Sequence, residues 1–349
     1  MKPIFLIAAF LLTSQFASGQ WIKQNVNTTA SFRGLSVVNE KVIWASGTEG
    51  TVIRTVDSGK HWDIIHVPDA DKLDFRDIEA FDAGTAYILS IGNGESSRIY
   101  KTTDGGNTWV LQFKNTNEKA FFDAIACWDK EHCIAVSDPI DNRFVLVETT
   151  NGQNWRLIDT SKMPPTRDGE AAFAASGTCL ITEGKNNAFL VSGGKVARVF
   201  KSTDRGKMWK VYDTPIVRGT SGSGIFSIAM RDSKNGVIVG GNYENPAFMD
   251  SNIAITTDGG ATWKLKGIVS GYRSCVTYVE IAFDKNTVVA VGTNGSDRVS
   301  FRIDRLWDRI DSANYNAVAY KGEYAWAVGP NGLVVRGRFG NKVDIDLNK

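Results

Sequence analysis

The 349 residues are 42% hydrophobic and 22% charged, an ordinary globular balance with ample material for a large core. A formal net charge of +2 excludes the basic stripe that a nucleic-acid binder needs to collect phosphates. Only three histidines occur, His61, His66 and His132, which excludes a multi-histidine metal site; no metal and no cofactor is expected.

In chain order, the first segment is "MKPIFLIAAFLLTSQFASGQ". Lys2 gives a positive start, residues 4–12 an apolar stretch, and Ala17-Ser18-Gly19 a small-residue cleavage site. Residues 1–19 are therefore expected to be a signal peptide and residues 20–349 a single mature domain. The apolar stretch is too short to span a bilayer, so the mature chain is expected to be periplasmic or secreted, without a membrane span.

A lone strand, "QWIKQNV", comes next at residues 20–26. The first module reads "FRGLSVV", "KVIWAS", "TVIRTVD", and the second "FRDIEAF", "TAYILSI", "RIYKTTD". These runs are short, rich in β-branched and aromatic residues, and bounded by Gly, Asn and Asp, as strands are. The third holds "IACWDKEHCIAV", two strands around a tight turn. Cys127 and Cys133 there are either a hairpin disulfide or two small apolar core residues. Cys179 and Cys275 lack pairing logic and are expected as buried free thiols. The fifth reads "IFSIAM", "NGVIVGG", "NIAITTD". The seventh, "NAVAYKGEYAWAVGPNGLVVRG", has three strands.

A phrase, [ST]-x-D-x-G-x-x-W, closes the modules: "TVDSGKHW", "TTDGGNTW", "STDRGKMW" and "TTDGGATW", with a shortened "TTNGQNW" and a decayed "RIDRLW" around Asp304 and Trp307. Its tryptophans stand at 62, 109, 155, 209, 263 and 307. A fourth strand comes after each tryptophan, so each period supplies one four-stranded antiparallel blade. The seventh module lacks its fourth strand, and residues 20–26 supply it. The fold is expected to be an all-β, seven-bladed β-propeller closed by its N-terminal strand, which removes open sheet edges.

Physically the phrase is a turn. Asp57, Asp104, Asp204 and Asp258 are expected to accept backbone N–H bonds, and the glycine to take a positive φ. Trp62, Trp109, Trp209 and Trp263 would cover the turn. Repetition suits a structural clasp better than a site, since one site needs distinct groups in distinct roles.

The phrase resembles the Asp-box (BNR) repeat of sialidases and sortilin-type propellers. Its place at the end of every blade is most similar to the photosystem II stability and assembly factor-like propellers. The resemblance covers essentially the whole mature chain. It implies a scaffold or maturation role without turnover, and carries over no photosynthetic context.

Loop geometry puts a ligand site on the face opposite the clasps, where the links between second and third strands and between blades gather. Arg33 in "SFRGL", Arg76 in "DFRDI" and Arg273 in "GYRSC" stand at matching blade entrances, with Glu170 at the comparable place in "DGEAAF" and Asp123 nearby. Arg98, Asp138, Asp141, Arg198 and Tyr243 lie in the second-to-third-strand links. Converging guanidiniums would bind a carboxylate, in a protein segment or an anionic glycan; alternatively they pair with Asp123, Asp138 and Glu170 as a structural network. A monomer is expected. The three arginines also resemble the carboxylate-binding arginines of sialidases. That alternative, a glycoside hydrolase, would use Glu170 or Asp123 as acid/base and Tyr243 or Tyr272 as nucleophile.

Overall fold

The computed structural model describes residues 21–281, 284–302 and 307–339. The leader reading and Asp304 of the decayed sixth phrase lie outside these residues. Seven antiparallel sheets form the blades of a propeller. Their innermost strands are Phe32–Val37, Phe75–Ala80, Phe122–Cys127, Leu180–Glu183, Ser223–Met230, Cys275–Ile281 and Ala317–Lys321. The ring closes where the N-terminal strand Ile22–Lys23 pairs with Val334–Arg338, Ile22 opposite Arg336. Among the described residues no helix is long and apolar enough to cross a membrane.

Burial follows radial position. Second strands such as Ile43–Gly47 and Ala86–Ser90 are buried at every residue, because a blade covers each of their two faces. Outer strands such as Asp63–His66 are mostly exposed. The core accordingly lies between blades. One cluster runs through the third to fifth blades, with Phe144, Phe189 and Ile238, and another through the sixth, seventh and first, with Val289, Trp326 and Ile53.

The repeated phrase folds as a clasp between third and fourth strands. In the second blade Thr102 Oγ1 accepts from the Gly106 amide at 2.9 Å, and Asp104 Oδ1 accepts from the Thr108 amide at 2.9 Å. Gly106 sits at φ 89° and Gly260, its counterpart in the fifth blade, at φ 88°. The tryptophans lean on the preceding blade: Trp62 meets Trp326 edge-on at 5.8 Å, and Trp155 meets Tyr87 at 6.1 Å. Cys127 and Cys133 stand directly opposite each other across one hairpin and are disulfide-bonded, whereas Cys179 and Cys275 are free and buried.

The fourth blade departs from the pattern. Residues 158–179 connect it to the third, where residues 67–74 suffice between the first and second. Part of this long link crosses the propeller axis. Ala172 donates its amide to Asp138 Oδ1 of the third blade at 2.9 Å. Ser176 Oγ donates to the Ser274 carbonyl beside the sixth blade at 2.9 Å, and Thr178 Oγ1 meets Ser227 Oγ of the fifth at 2.7 Å. Gly177 lies against Asp77 of the second blade, so closely that a Cβ would fall 2.1 Å from its carboxylate oxygen. The axial channel is thereby plugged by residues 172–178.

Candidate functional site

Above this plug, on the face opposite the clasps, is a cavity of about 370 Å³. A shared irregularity shapes it. In the first blade Phe32 pairs with Gly47 and Gly34 with Ser46, leaving Arg33 as a bulge. The same slip leaves Arg76 in the second blade, Asp123 in the third and Phe226 in the fifth unpaired with their second strands. A bulge bends the strand and re-aims its extra side chain, here toward the axis at each blade entrance.

Arg33 and Arg76 form the cationic wall. Arg33 Nη1 donates to the Ala175 carbonyl of the plug at 3.1 Å, and Arg76 Nη1 to the Ala174 carbonyl at 3.3 Å. Arg76 also donates through Nε to Asp74 at 2.7 Å. Arg33 has no carboxylate within ion-pair distance among the described residues. Burial, then the charge of Arg76, lowers its pKa from the ordinary guanidinium value.

The facing wall is aromatic. Phe173 of the plug stacks on Phe226 with ring centroids 4.0 Å apart and planes within 7°. Tyr272 meets Phe226 edge-on at 4.7 Å, and the half-exposed Tyr243 closes the group at 6.2 Å from Phe226. Ser274, Thr293 and Asn316 complete the rim. No aspartate or glutamate among the described residues lines the cavity.

The structure therefore brings Arg33, Arg76, Tyr243 and Tyr272 together and places the other candidates elsewhere. Arg273 is fully buried, its Nε donating to Asp297 Oδ2 at 2.7 Å and its Nη1 to Asn294 Oδ1 at 2.6 Å. The Arg273 Cα stands against Gly292 in the sixth blade as that of Phe32 stands against Gly47 in the first, so Arg273 holds the place of Phe32, and Ser274 that of Arg33. Tyr272 and Ser274 line the cavity, and the arginine between them, just ahead of the strand that begins at Cys275, is turned to Asp297. Glu170 is likewise buried, accepting from Arg198 Nε at 2.9 Å and from Ser192 Oγ at 2.5 Å. "DGEAAF" is not a blade entrance at all. Glu170–Ala171 forms a two-residue ribbon with Gly193–Gly194, and the innermost strand starts at Leu180, after the plug. Glu170 and Arg198 serve each other.

Asp123 is buried and outside the lining. Burial, reinforced by Asp138, raises its pKa well above the usual carboxylate range. Asp138 is itself pushed up to about 6 by burial, opposed by the Ala172 amide. Arg98 donates to the Glu95 carbonyl and the Tyr100 hydroxyl, and Asp141 is a turn residue, with Asp141 and Asn142 at φ 50° and 61° joining two strands. Sequence reasoning missed Phe173, Phe226 and the plug. The 54-residue step from Trp155 to Trp209, after 46 from Trp109, was the available signal for an insertion.

Fold and cavity together define a seven-bladed β-propeller with a cationic and aromatic pocket on the face opposite its clasps. Its backbone is similar to that of solved propellers. YCF48 bound to D1 peptide aligns at a TM-score of 0.60 and 13% identity, over 93% of this chain and 96% of that one. YCF48 from Cyanidioschyzon merolae aligns at 0.62 and 14%, over 91% and 99%. The WD40 β-propeller domain of Doa1 aligns at 0.60 and 10%, over 93% and 98%. At such identities the likeness is one of fold. No family model and no curated protein matches the sequence.

Proposed function

We propose that this chain is an exported, assembly-factor-like Asp-box propeller that binds an acidic segment of another protein at the central pocket and acts as a scaffold without turnover. The observation that carries this reading is Arg33: a half-buried guanidinium, beside a second one, with no carboxylate in ion-pair contact among the described residues. An arriving carboxylate would neutralise it through paired N–H bonds in a partly desolvated setting, where charge-assisted bonds are strongest. A propeller of the same fold has been solved with a peptide bound, which supports a protein segment as the occupant. The clasp geometry supports the Asp-box reading of the repeated phrase.

The test is binding of a fluorescent acidic peptide to the mature chain, compared with its amidated, neutral counterpart. The expected result is preference for the acidic form, weakened by salt and abolished in Arg33→Ala/Arg76→Ala. Indifference to peptide charge, or undiminished binding by the double variant, would overturn the reading. Release of sugar from an anionic glycoside would overturn its non-catalytic part. Export is checked by the mass of the protein recovered outside the cytoplasm, which should start at Gln20.

A further inference from the structure

Resting on that reading, we infer that the pocket selects one carboxylate carried next to an aromatic ring, rather than an acidic stretch in general. The charges set the first half of this. Arg33 and Arg76 bring two positive charges and Asp74, bonded to Arg76, brings one negative, so one cation remains unmatched. A single carboxylate balances it. A polyanion would add charge with no further basic group in the lining to receive it.

The shape sets the second half. Across about 370 Å³ the guanidiniums face a built aromatic wall in which Phe173, Phe226 and Tyr272 are packed edge and face. Such a volume, at the small end of ligand pockets, takes a short group rather than a chain of charged units. Tyr243, 49% exposed although it touches both Phe226 and Tyr272, offers that wall a free ring edge at the entrance. A ring from the ligand would meet aromatic partners there, while its carboxylate reaches Arg33. Ala174 and Ala175, the plug residues whose carbonyls hold the two arginines, also line the cavity.

The chemistry has two possible sources in a protein segment: a C-terminal aromatic residue, or an internal acidic residue beside an aromatic one. Calorimetry with the mature protein uses N-acetylphenylalanine, its primary amide and N-acetylalanine. Acetyl-Gly-Phe and acetyl-Glu-Phe-amide then separate the sources. N-acetylphenylalanine is expected to bind roughly ten-fold more tightly than N-acetylalanine, through the added ring contacts, and more tightly than the amide. Tyr243→Ala, at an exposed site, should narrow the phenyl preference and leave the acid preference intact; Arg33→Ala should do the reverse.

Equal binding of N-acetylalanine and N-acetylphenylalanine overturns the inference and leaves the anion reading standing. Equal binding of acid and amide overturns the anion reading itself. Tighter binding of a polysulfated oligosaccharide than of N-acetylphenylalanine, or saturable binding by none of these probes, also overturns the inference.

Discussion

Arg33 and Arg76 occupy the same bulge position in adjacent blades, and each donates to a carbonyl of the segment that plugs the axis. The arginines therefore hold the plug and face the cavity at once. Of the two, Arg76 alone is ion-paired with a carboxylate among the described residues.

Function and stability should part at Arg33. A half-buried cation with no ion pair among the described residues, next to another cation, costs free energy that an apolar side chain of similar length would not. Arg33→Met is expected to leave the thermal midpoint unchanged or raise it, while binding of an acidic peptide is lost. A marked fall in the midpoint would mean that Arg33 is chiefly structural.

Arg273 should behave oppositely. Asp297→Asn leaves its charge buried without a counter-ion, and the expected loss is about 3–5 kcal/mol in urea unfolding. Arg273→Met combined with Asp297→Leu should recover most of that. The peptide affinity of the folded fraction should not change, because neither side chain lines the cavity.

The plug has a tight point at Gly177, which sits at φ 79° with Asp77 Oδ1 where a Cβ would need room. Gly177→Ala is expected to cost about 1–3 kcal/mol through strain and clash together. In an Asp77→Ala background the clash disappears and the cost should shrink. Equal costs in both backgrounds would show that the contact is loose.

Stability should peak on the acid side of neutrality. Burial pushes the Asp77 carboxyl up to about 7 from its ordinary 3.8, against the Ile125 and Ile78 amides that favour its charged form. Between those values the folded chain keeps a proton that the unfolded chain has released. Stability therefore falls as pH rises through that window, by up to about 1.4 kcal/mol per unit for one proton, and is flat above it. Asp138, raised to about 6, acts in the same direction. Below about pH 4 the clasps oppose this, since the Thr108 hydroxyl and amide hold Asp104 at about 2. Thermal midpoints should thus be higher at pH 5 than at pH 7.5, with the difference reduced in Asp77→Asn.

By itself the sequence determined the repeat and the consequences of local chemistry. The period, the alternation of strands and turns, the positive-φ glycine of the first five clasps and the N-terminal strand as last-blade partner were all legible. These depend on residues near one another in the chain, or on a pattern stated several times over. The pocket was legible only at Arg33, Arg76, Tyr243 and Tyr272.

Tertiary structure decided the rest, because it turned on events that a repeat pattern does not encode. A one-residue offset puts Arg273 at the place that Phe32 holds in the first blade, so two arginines that look alike in sequence part, one to the cavity wall and one to a buried ion pair. One insertion carries residues 172–178 across the axis, moves the fourth blade's entrance from Glu170 to Leu180, and brings Phe173 onto Phe226. Side-chain direction along extended chain reverses with every residue, so a shift of one position separates a cavity wall from a buried ion pair.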